Sequence, residues 1–247
     1  MRLTVLGGCG AWPEAGQACS GYLVEHDGFA LLLDIGYATM PRLLQHVTAE
    51  RVDAVFVTHG HPDHCADLNP LLRARALGGG APAPLPLYAL PGSLDAVLAL
   101  DGPGMLADAY DLKEFTAGGW IEIGPFRART NLLPHWVPNA GVRLVAGGRA
   151  LAYTGDCGPC PEVVELARDA ELLLAEATYV DQVPEGSRRY LTSARQAGRQ
   201  ATEAGVGHLL LTHLWPGTDA PAARAAAGEE FRGGVGIATA DLTLDLP

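Results

Sequence analysis

The amino-acid sequence predicts an α/β chain in which two β-sheets pack together with helices on their outer sides. Three observations predict it. Short apolar strand-like runs alternate with helical stretches, the pattern that builds layered α/β folds. The second half of the chain repeats the first in kind. No linker long or polar enough to separate independent domains occurs, so residues 1–247 read as a single domain of two similar αβ halves.

Strand-like segments open the chain at Leu3 to Leu6, Gly21 to Glu25 and Ala30 to Asp34. The last two flank His26-Asp27-Gly28, a good hairpin turn. Thr39 to Val47 has helical periodicity, and Ala54 to Thr58 is a short apolar run of the kind buried on both faces. It ends directly in HGHPDH. A helix is expected from Asp67 to Leu77, then a Gly/Pro-rich surface loop at 78–86, a strand at Leu87 to Leu90 and a capped helix at Ser93 to Leu100. Tyr110 to Thr130 reads as strands with turns at Gly118-Gly119 and Gly124-Pro125. In the second half Val142 to Val145 and Ala150 to Thr154 form a hairpin about Gly147-Gly148, and Pro161 to Arg168 is a helix with Val163, Val164 and Ala167 on one face. Leu172 to Ala175 is a buried strand, and Ser193 to Ala204 a helix capped from Thr192 or Ser193. His208 to Thr212 repeats the design of a short apolar strand that delivers a histidine, here His213.

Composition narrows the function. With 28 acidic against 17 basic residues the formal charge is −11, and no basic run exceeds Arg188-Arg189. Long nucleic acids bind through phosphate neutralisation by a basic face, so they are disfavoured as partners. A small anion held by metal ions is not. No apolar stretch approaches the roughly 20 residues that span a bilayer, and the first ten residues lack a signal-peptide core. A soluble, cytoplasmic protein without membrane contact is expected. The five cysteines are an odd number with no disulfide spacing, which reads as free thiols in a reducing compartment.

His59-Gly-His61-Pro-Asp63-His64 concentrates four metal-capable side chains at the end of a buried strand. Imidazole and carboxylate suit zinc, and also iron, manganese or nickel. The alternating histidines project to one side of an extended segment, while Asp63 and His64 lie on a tighter turn and can face a second ion. His135 and His213 each follow a short apolar segment and precede a proline turn. Each alone is as readily structural as ligating. His26, His46 and His208 lack this context and read as surface or structural residues. In TGDCGPC, Cys157 and Cys160 have the spacing of a dithiol redox site or half a zinc knuckle, but Asp156 stands in front of them.

Taken together and in order, Asp34, His59/His61/Asp63/His64, His135, Asp156 and His213 resemble the metal-dependent hydrolases of the metallo-β-lactamase superfamily. The resemblance spans nearly the whole chain and implies a four-layer αββα sandwich. Carried over residue by residue, it implies one metal on His59, His61 and His135, a second on Asp63, His64 and His213, and Asp156 as the bridge. Asp34 would brace the histidine loop; a turn aspartate before Gly36 is nearly as good a reading. The CxxC then becomes structural rather than redox, although the cysteine ligand of some true β-lactamases keeps Cys157 open.

Within the superfamily, His135-Trp-Val-Pro-Asn-Ala-Gly141 resembles the third motif of ribonuclease Z and its phosphodiesterase cousins. Ribonuclease Z itself is not expected, because 21 positions separate His135 from Asp156 and leave no room for a tRNA-binding arm. Two family histidines are also replaced, in Ala175-Glu-Ala-Thr178 and Tyr190-Leu-Thr192. The resemblance thus implies a phosphodiesterase with two divalent metal ions, zinc first, acting on a small anionic nucleotide such as a cyclic nucleotide monophosphate through a metal-bridging hydroxide. Asp63 would orient or deprotonate the water, and Tyr190 would either stand in for the missing proton donor or be a plain surface tyrosine. Cleavage of a carboxylic ester, thioester or lactone at the same metals is the alternative. A non-enzymatic metal-binding or CxxC redox protein is the third. Trp215-Pro216 reads either as apolar surface for a homodimer or as a capped pocket wall.

Overall fold

The computed structural model describes residues 1–80 and 82–246. Residue 81, inside the expected Gly/Pro loop, lies outside the described residues. The first half of the chain runs β1 (Arg2–Gly7), β2 (Gly21–His26), β3 (Phe29–Ile35), α1 (Thr39–Leu43), β4 (Ala54–Phe56), α2 (Pro62–Cys65), α3 (Leu68–Leu77), β5 (Leu85–Ala89), α4 (Asp95–Leu98) and β6 (Tyr110–Glu114). The second runs β7 (Trp120–Ile123), β8 (Phe126–Leu133), β9 (Asn139–Ala146), β10 (Arg149–Tyr153), α5 (Pro161–Ala167), β11 (Leu172–Glu176), α6 (Ala194–Ala204), β12 (His208–Thr212), α7 (Ala220–Glu230) and β13 (Gly234–Ile237). A last strand, β14 (Thr243–Asp245), crosses back to the first sheet.

Each sheet has seven strands, in the orders β14-β1-β2-β3-β4-β5-β6 and β13-β12-β11-β10-β9-β8-β7. Three apolar clusters define the layers. Leu3, Tyr22, Leu33 and Phe56 of the first sheet meet Phe126, Val142, Leu151 and Leu174 of the second. Alternate residues of the first sheet, such as Leu32 and Val55, face α1 and α3 through Leu43, Leu68 and Leu71. Leu173, Leu209 and Leu211 of the second sheet face Ala197, Ala201 and Ala223 of α6 and α7. Helix, sheet, sheet, helix is the expected four-layer sandwich, and strands buried on both faces explain their unbroken apolar runs.

Most elements follow from local sequence. In the β2–β3 turn Asp27 and Gly28 both have positive φ, 48° and 80°, the conformation a two-residue hairpin requires. Ser193 caps α6 in a capping box with Gln196. Two helices are shorter than expected. The first ends at Leu43 rather than Val47, and α4 is confined to Asp95–Leu98 without a side-chain cap. The Ser93 hydroxyl bonds instead to the Leu90 carbonyl, closing a turn that competes with a cap. Beyond His213 the sequence reading identified no element, although α7, β13 and β14 are all there.

The topology positions the site. β4 runs parallel to β3, and β10, β11 and β12 run parallel to one another. The carboxyl ends of these strands therefore meet along one rim, where open α/β sheets bind their ligands. Thr58 lies on that rim and accepts the Ala140 N–H at 2.9 Å, which ties the two sheets together beside the histidine loop.

Candidate metal centre

β4 delivers His59 and His61, and Pro62 then starts the short helix α2, which carries Asp63 and His64 on its first turn. His135 follows β8, Asp156 follows β10 and His213 follows β12. Seven side chains so delivered form two groups. His59, His61, His135 and Asp156 make one; Asp63, His64, His213 and Asp156 make the other, with ligand atoms within 4.8 Å of one another in each. All but His61 are buried. Asp156 belongs to both. Its Oδ2 lies 3.0 Å from His213 Nε2 and 3.9 Å from both His59 Nε2 and His135 Nε2, and its Oδ1 lies 3.2 Å from His64 Nε2.

The proton on four of the five histidines is fixed by what the other nitrogen touches. Asp34 accepts from the Thr58 N–H at 2.7 Å, the Thr58 hydroxyl at 2.9 Å and the Tyr153 hydroxyl at 2.7 Å. A hydroxyl has one proton, so Thr58, having donated to Asp34, accepts from His59 Nδ1 at 3.1 Å. His64 Nδ1 donates to Asp34 directly at 2.7 Å. His135 Nδ1 donates to the Tyr190 carbonyl at 3.0 Å. At the other end of the rim the Thr178 hydroxyl donates to Glu176 at 2.7 Å and accepts from His213 Nδ1 at 3.0 Å. Four histidines are thereby held with Nε2 toward the centre, the arrangement by which outer carboxylates and carbonyls orient metal ligands.

This chemistry fits a cation. His61 Nδ1 lies 3.0 Å from His59 Nε2 and 3.1 Å from His135 Nε2, so three ring nitrogens converge, and a single proton on His61 satisfies only one contact. His64 Nε2 and Asp156 Oδ1 are buried and face each other at 3.2 Å, but neither makes an aligned hydrogen bond. Buried polar atoms whose hydrogen bonding is left incomplete are costly unless an ion completes it.

The electrostatics divide the two groups. Burial pushes the His59, His61 and His135 imidazoles below their ordinary value, so they remain neutral. Burial also works against a charge on His64 and His213, but Asp156 outweighs it, helped by Asp34 at His64 and Asp63 at His213. His64 is raised well above the ordinary value and His213 to about 10. Asp63 and Asp156 are held well below the carboxylate range despite burial, chiefly by His213 and His64. Burial, with Asp156 nearby, pushes Glu176 up to about 8.

Backbone geometry is specialised at the same rim. Asp34 and His213 both sit at φ 57°, a left-handed conformation uncommon outside glycine and costing about 1–3 kcal/mol each. Gly10 is required because a Cβ there would meet the His213 ring at 2.7 Å. The loop it starts brings the Ala11 N–H to Asp63 Oδ2 at 2.8 Å.

Every member of the two groups is among the sequence candidates; Asp34, which the sequence left open between a brace and a turn aspartate, lies behind His64. The sequence reading missed Thr58, Tyr153, Thr178 and the bonding role of Glu176. Thr58 adjoins His59, but no sequence signal shows a hydroxyl relaying between a histidine and a carboxylate 24 positions earlier. Tyr190 reaches the site by its carbonyl, while its ring packs 5.2 Å from Trp136. Cys157 is in neither group; its side chain is buried with Leu133 and Val163. Burial pushes its thiol up and that of Cys160 up to about 11, opposite to a reactive dithiol. His26, His46 and His208 lie away from the centre, His46 paired with Asp241 at 3.1 Å.

A layered αββα fold with histidines and a shared aspartate at its strand ends defines a metal-dependent hydrolase. The chain belongs to the metallo-β-lactamase superfamily: residues 7–214 match the model of the β-lactamase superfamily domain. Its relatives include the probable metallo-hydrolase YhfI of Bacillus subtilis, 34% identical over 87% of either chain. The crystal structure of YhfI superposes with a TM-score of 0.89 over 98% of both chains, at 32% identity. A ribonuclease Z of Myxococcus xanthus is 30% identical over 100% of this chain and 98% of its own, in an alignment of 304 positions. Human tRNase Z, short form, shares the fold, with a TM-score of 0.79 over 100% of both chains and 23% identity.

Proposed function

We propose that this protein is a dinuclear phosphodiesterase acting on a small nucleotide, of which a cyclic nucleotide monophosphate is the simplest example. The observation that carries the dinuclear reading is the single carboxylate of Asp156, common to both groups of ligands. His59, His61 and His135 would hold one divalent ion and Asp63, His64 and His213 the other, with Asp156 between them. Zinc suits this donor set, with manganese, iron or nickel as alternatives. Bound there, the pair supplies Lewis acidity and a water acidified to react near neutral pH.

The chain's own groups complete the chemistry. Asp63 is fixed by the Ala11 N–H and lies 3.2 Å from His213 Nε2, so one carboxylate oxygen is oriented while the other can align water or take its proton. The Tyr190 phenol is the candidate donor for the leaving oxygen.

Phosphodiester chemistry is favoured over carboxylic ester, thioester or lactone cleavage by the third motif around His135 and by the similarity to a protein named ribonuclease Z. A large RNA substrate is disfavoured by the −11 charge and by the length of that alignment, which has more positions than this chain has residues. The raised thiols speak against a CxxC redox protein.

The test is elemental analysis of protein purified without chelator, paired with hydrolysis of a chromogenic phosphodiester by wild type and Asp156→Ala. About two ions per chain, and activity abolished by the substitution, are expected. Protein that stays inactive after reconstitution with zinc or manganese overturns the reading.

A further inference from the structure

Two ladders of aromatic rings flank the metal centre, one at each group of ligands. In the first, the Arg189 guanidinium lies 5.7 Å over the Tyr190 ring, Tyr190 lies 5.2 Å from Trp136 at 32°, and Trp136 lies 5.1 Å from His135. In the second, Tyr179 lies 5.7 Å from Trp215, and Trp215 lies 5.9 Å from Trp12. That ladder is anchored at the other group: Trp215 follows His213 by two positions, and Trp12 follows Ala11, whose N–H holds Asp63.

Each ladder carries an indole that stays half exposed: Trp136, between Tyr190 and His135, at 52%, and Trp12, at the end of its ladder, at 49%. Burial of an indole is strongly favourable, so two left open beside one reaction centre are surfaces awaiting a planar partner. The comparison within the molecule is Trp120, 47% exposed on β7, whose face is already covered by Arg127 at 4.7 Å. Backing by a second ring holds Trp12 and Trp136 in place, so little freedom is lost when a ligand stacks on them. Nucleobases stack on such faces without regard to sequence.

We infer that the site takes a linear dinucleotide, its phosphodiester over Asp156 and one base on each of Trp136 and Trp12. The inference rests on the phosphodiesterase reading and refines its substrate. A cyclic nucleotide monophosphate has one base and leaves one indole bare. In the dinucleotide reaction water oxygen bonds to phosphorus as one P–O ester bond breaks. Water gives up a proton and the departing ribose oxygen gains one, so the products are a nucleoside and a nucleoside monophosphate.

The experiment compares adenylyl-(3′,5′)-adenosine with 3′,5′-cyclic AMP on the metal-loaded protein, and titrates tryptophan fluorescence with the dinucleotide on metal-free protein, where no turnover interferes. The expected result is a kcat/KM at least about tenfold higher for the dinucleotide. Trp12→Ala and Trp136→Ala should each raise its KM about tenfold, the scale of one base stack, with kcat held within about threefold. The phenylalanine variants should recover part of the loss, and Trp120→Ala should change nothing. Quenching by the dinucleotide should shrink in each of the two alanine variants. Equal use of the cyclic monophosphate, or an unchanged KM in either variant, overturns the inference. If no phosphodiester is cleaved, the enzymatic reading fails, and quenching that depends on both tryptophans still upholds the paired base sites; absent quenching sinks them.

Discussion

The Thr178 hydroxyl and His213 Nδ1 lie 3.0 Å apart, and the proton between them belongs to the histidine, because Thr178 spends its own on Glu176. The same logic links Thr58, Asp34 and His59 at the opposite end of the rim. Each sheet thus contributes a buried acidic side chain, Asp34 or Glu176, and a threonine that set one histidine's tautomer. The two ends share this relay geometry although no sequence motif relates them.

Thr178→Val keeps the shape and removes the relay. His213 is then free to adopt the wrong tautomer, and its group should lose affinity for its ion by about 10- to 100-fold, the usual effect of losing an outer partner. The first group should keep its ion. Metal analysis after dialysis should therefore fall from about two ions per chain toward about one; two ions retained would show that Thr178 does not orient His213.

Asp34→Asn tests the other end. Four donors converge on this carboxylate, from Thr58 twice, His64 and Tyr153. An amide must turn its own N–H groups toward some of them, which leaves buried donors facing each other. A loss of about 3–5 kcal/mol is expected, as for a broken buried ion pair, read from urea unfolding of metal-free protein. Tyr153→Phe, which removes a single donor, should cost about 1.5–3 kcal/mol.

The layers were legible because buried strands are unbroken apolar runs and the hairpin turns carry their own chemistry, as at Asp27-Gly28. The candidate ligands were legible as a set because they match, in order, the pattern of the metallo-β-lactamase superfamily; position at a strand end alone left His135 and His213 undecided. What escaped was either non-local or weakly patterned. The Tyr153 hydroxyl meets Asp34 across 119 positions, which no periodicity encodes. In α7 the alanines show little contrast between faces, and β13 is Gly-Val-Gly-Ile, too rich in glycine to read as a strand. The helix expected through Val47 failed for a local reason: after α1 the backbone N–H of Gln45 and of His46 each bond back three residues, which tightens the chain into turns.

Protons take the place of one ion in the metal-free protein. His59, His61 and His135 are neutral because burial depresses them, whereas His64 and His213 are charged because Asp156 outweighs burial. Filling the first group near neutral pH should therefore release almost no protons, and filling the second about two. Affinity of the second group should rise with pH from 7 toward 10 by up to about tenfold per unit for each proton displaced. Folding stability carries both signs. The depressed histidines favour the native state above their ordinary 6.5 and lose that advantage as pH falls below it. The raised ones favour it below 6.5, and the His213 contribution fades as pH rises toward about 10. As far as these groups decide, metal-free protein is most stable near pH 6.5. Calorimetric zinc titrations in buffers of different ionisation enthalpy count the protons, and equal release at both groups would refute the division.

Tyr190 has two separable parts. Its carbonyl holds His135 through Nδ1, and its ring supports Trp136, so substitution by alanine would confuse structure with chemistry. Tyr190→Phe keeps the backbone and the ring and removes only the phenolic proton. If that proton goes to the leaving oxygen, kcat should fall about 100-fold for a substrate that expels a ribose alkoxide, the lower range for general acid catalysis. A nitrophenyl ester should be unaffected, because nitrophenolate departs without protonation. Metal content should also be unchanged. An equal fall for both leaving groups would assign the phenol to binding, and no fall for either would leave only the carbonyl of Tyr190 in the site.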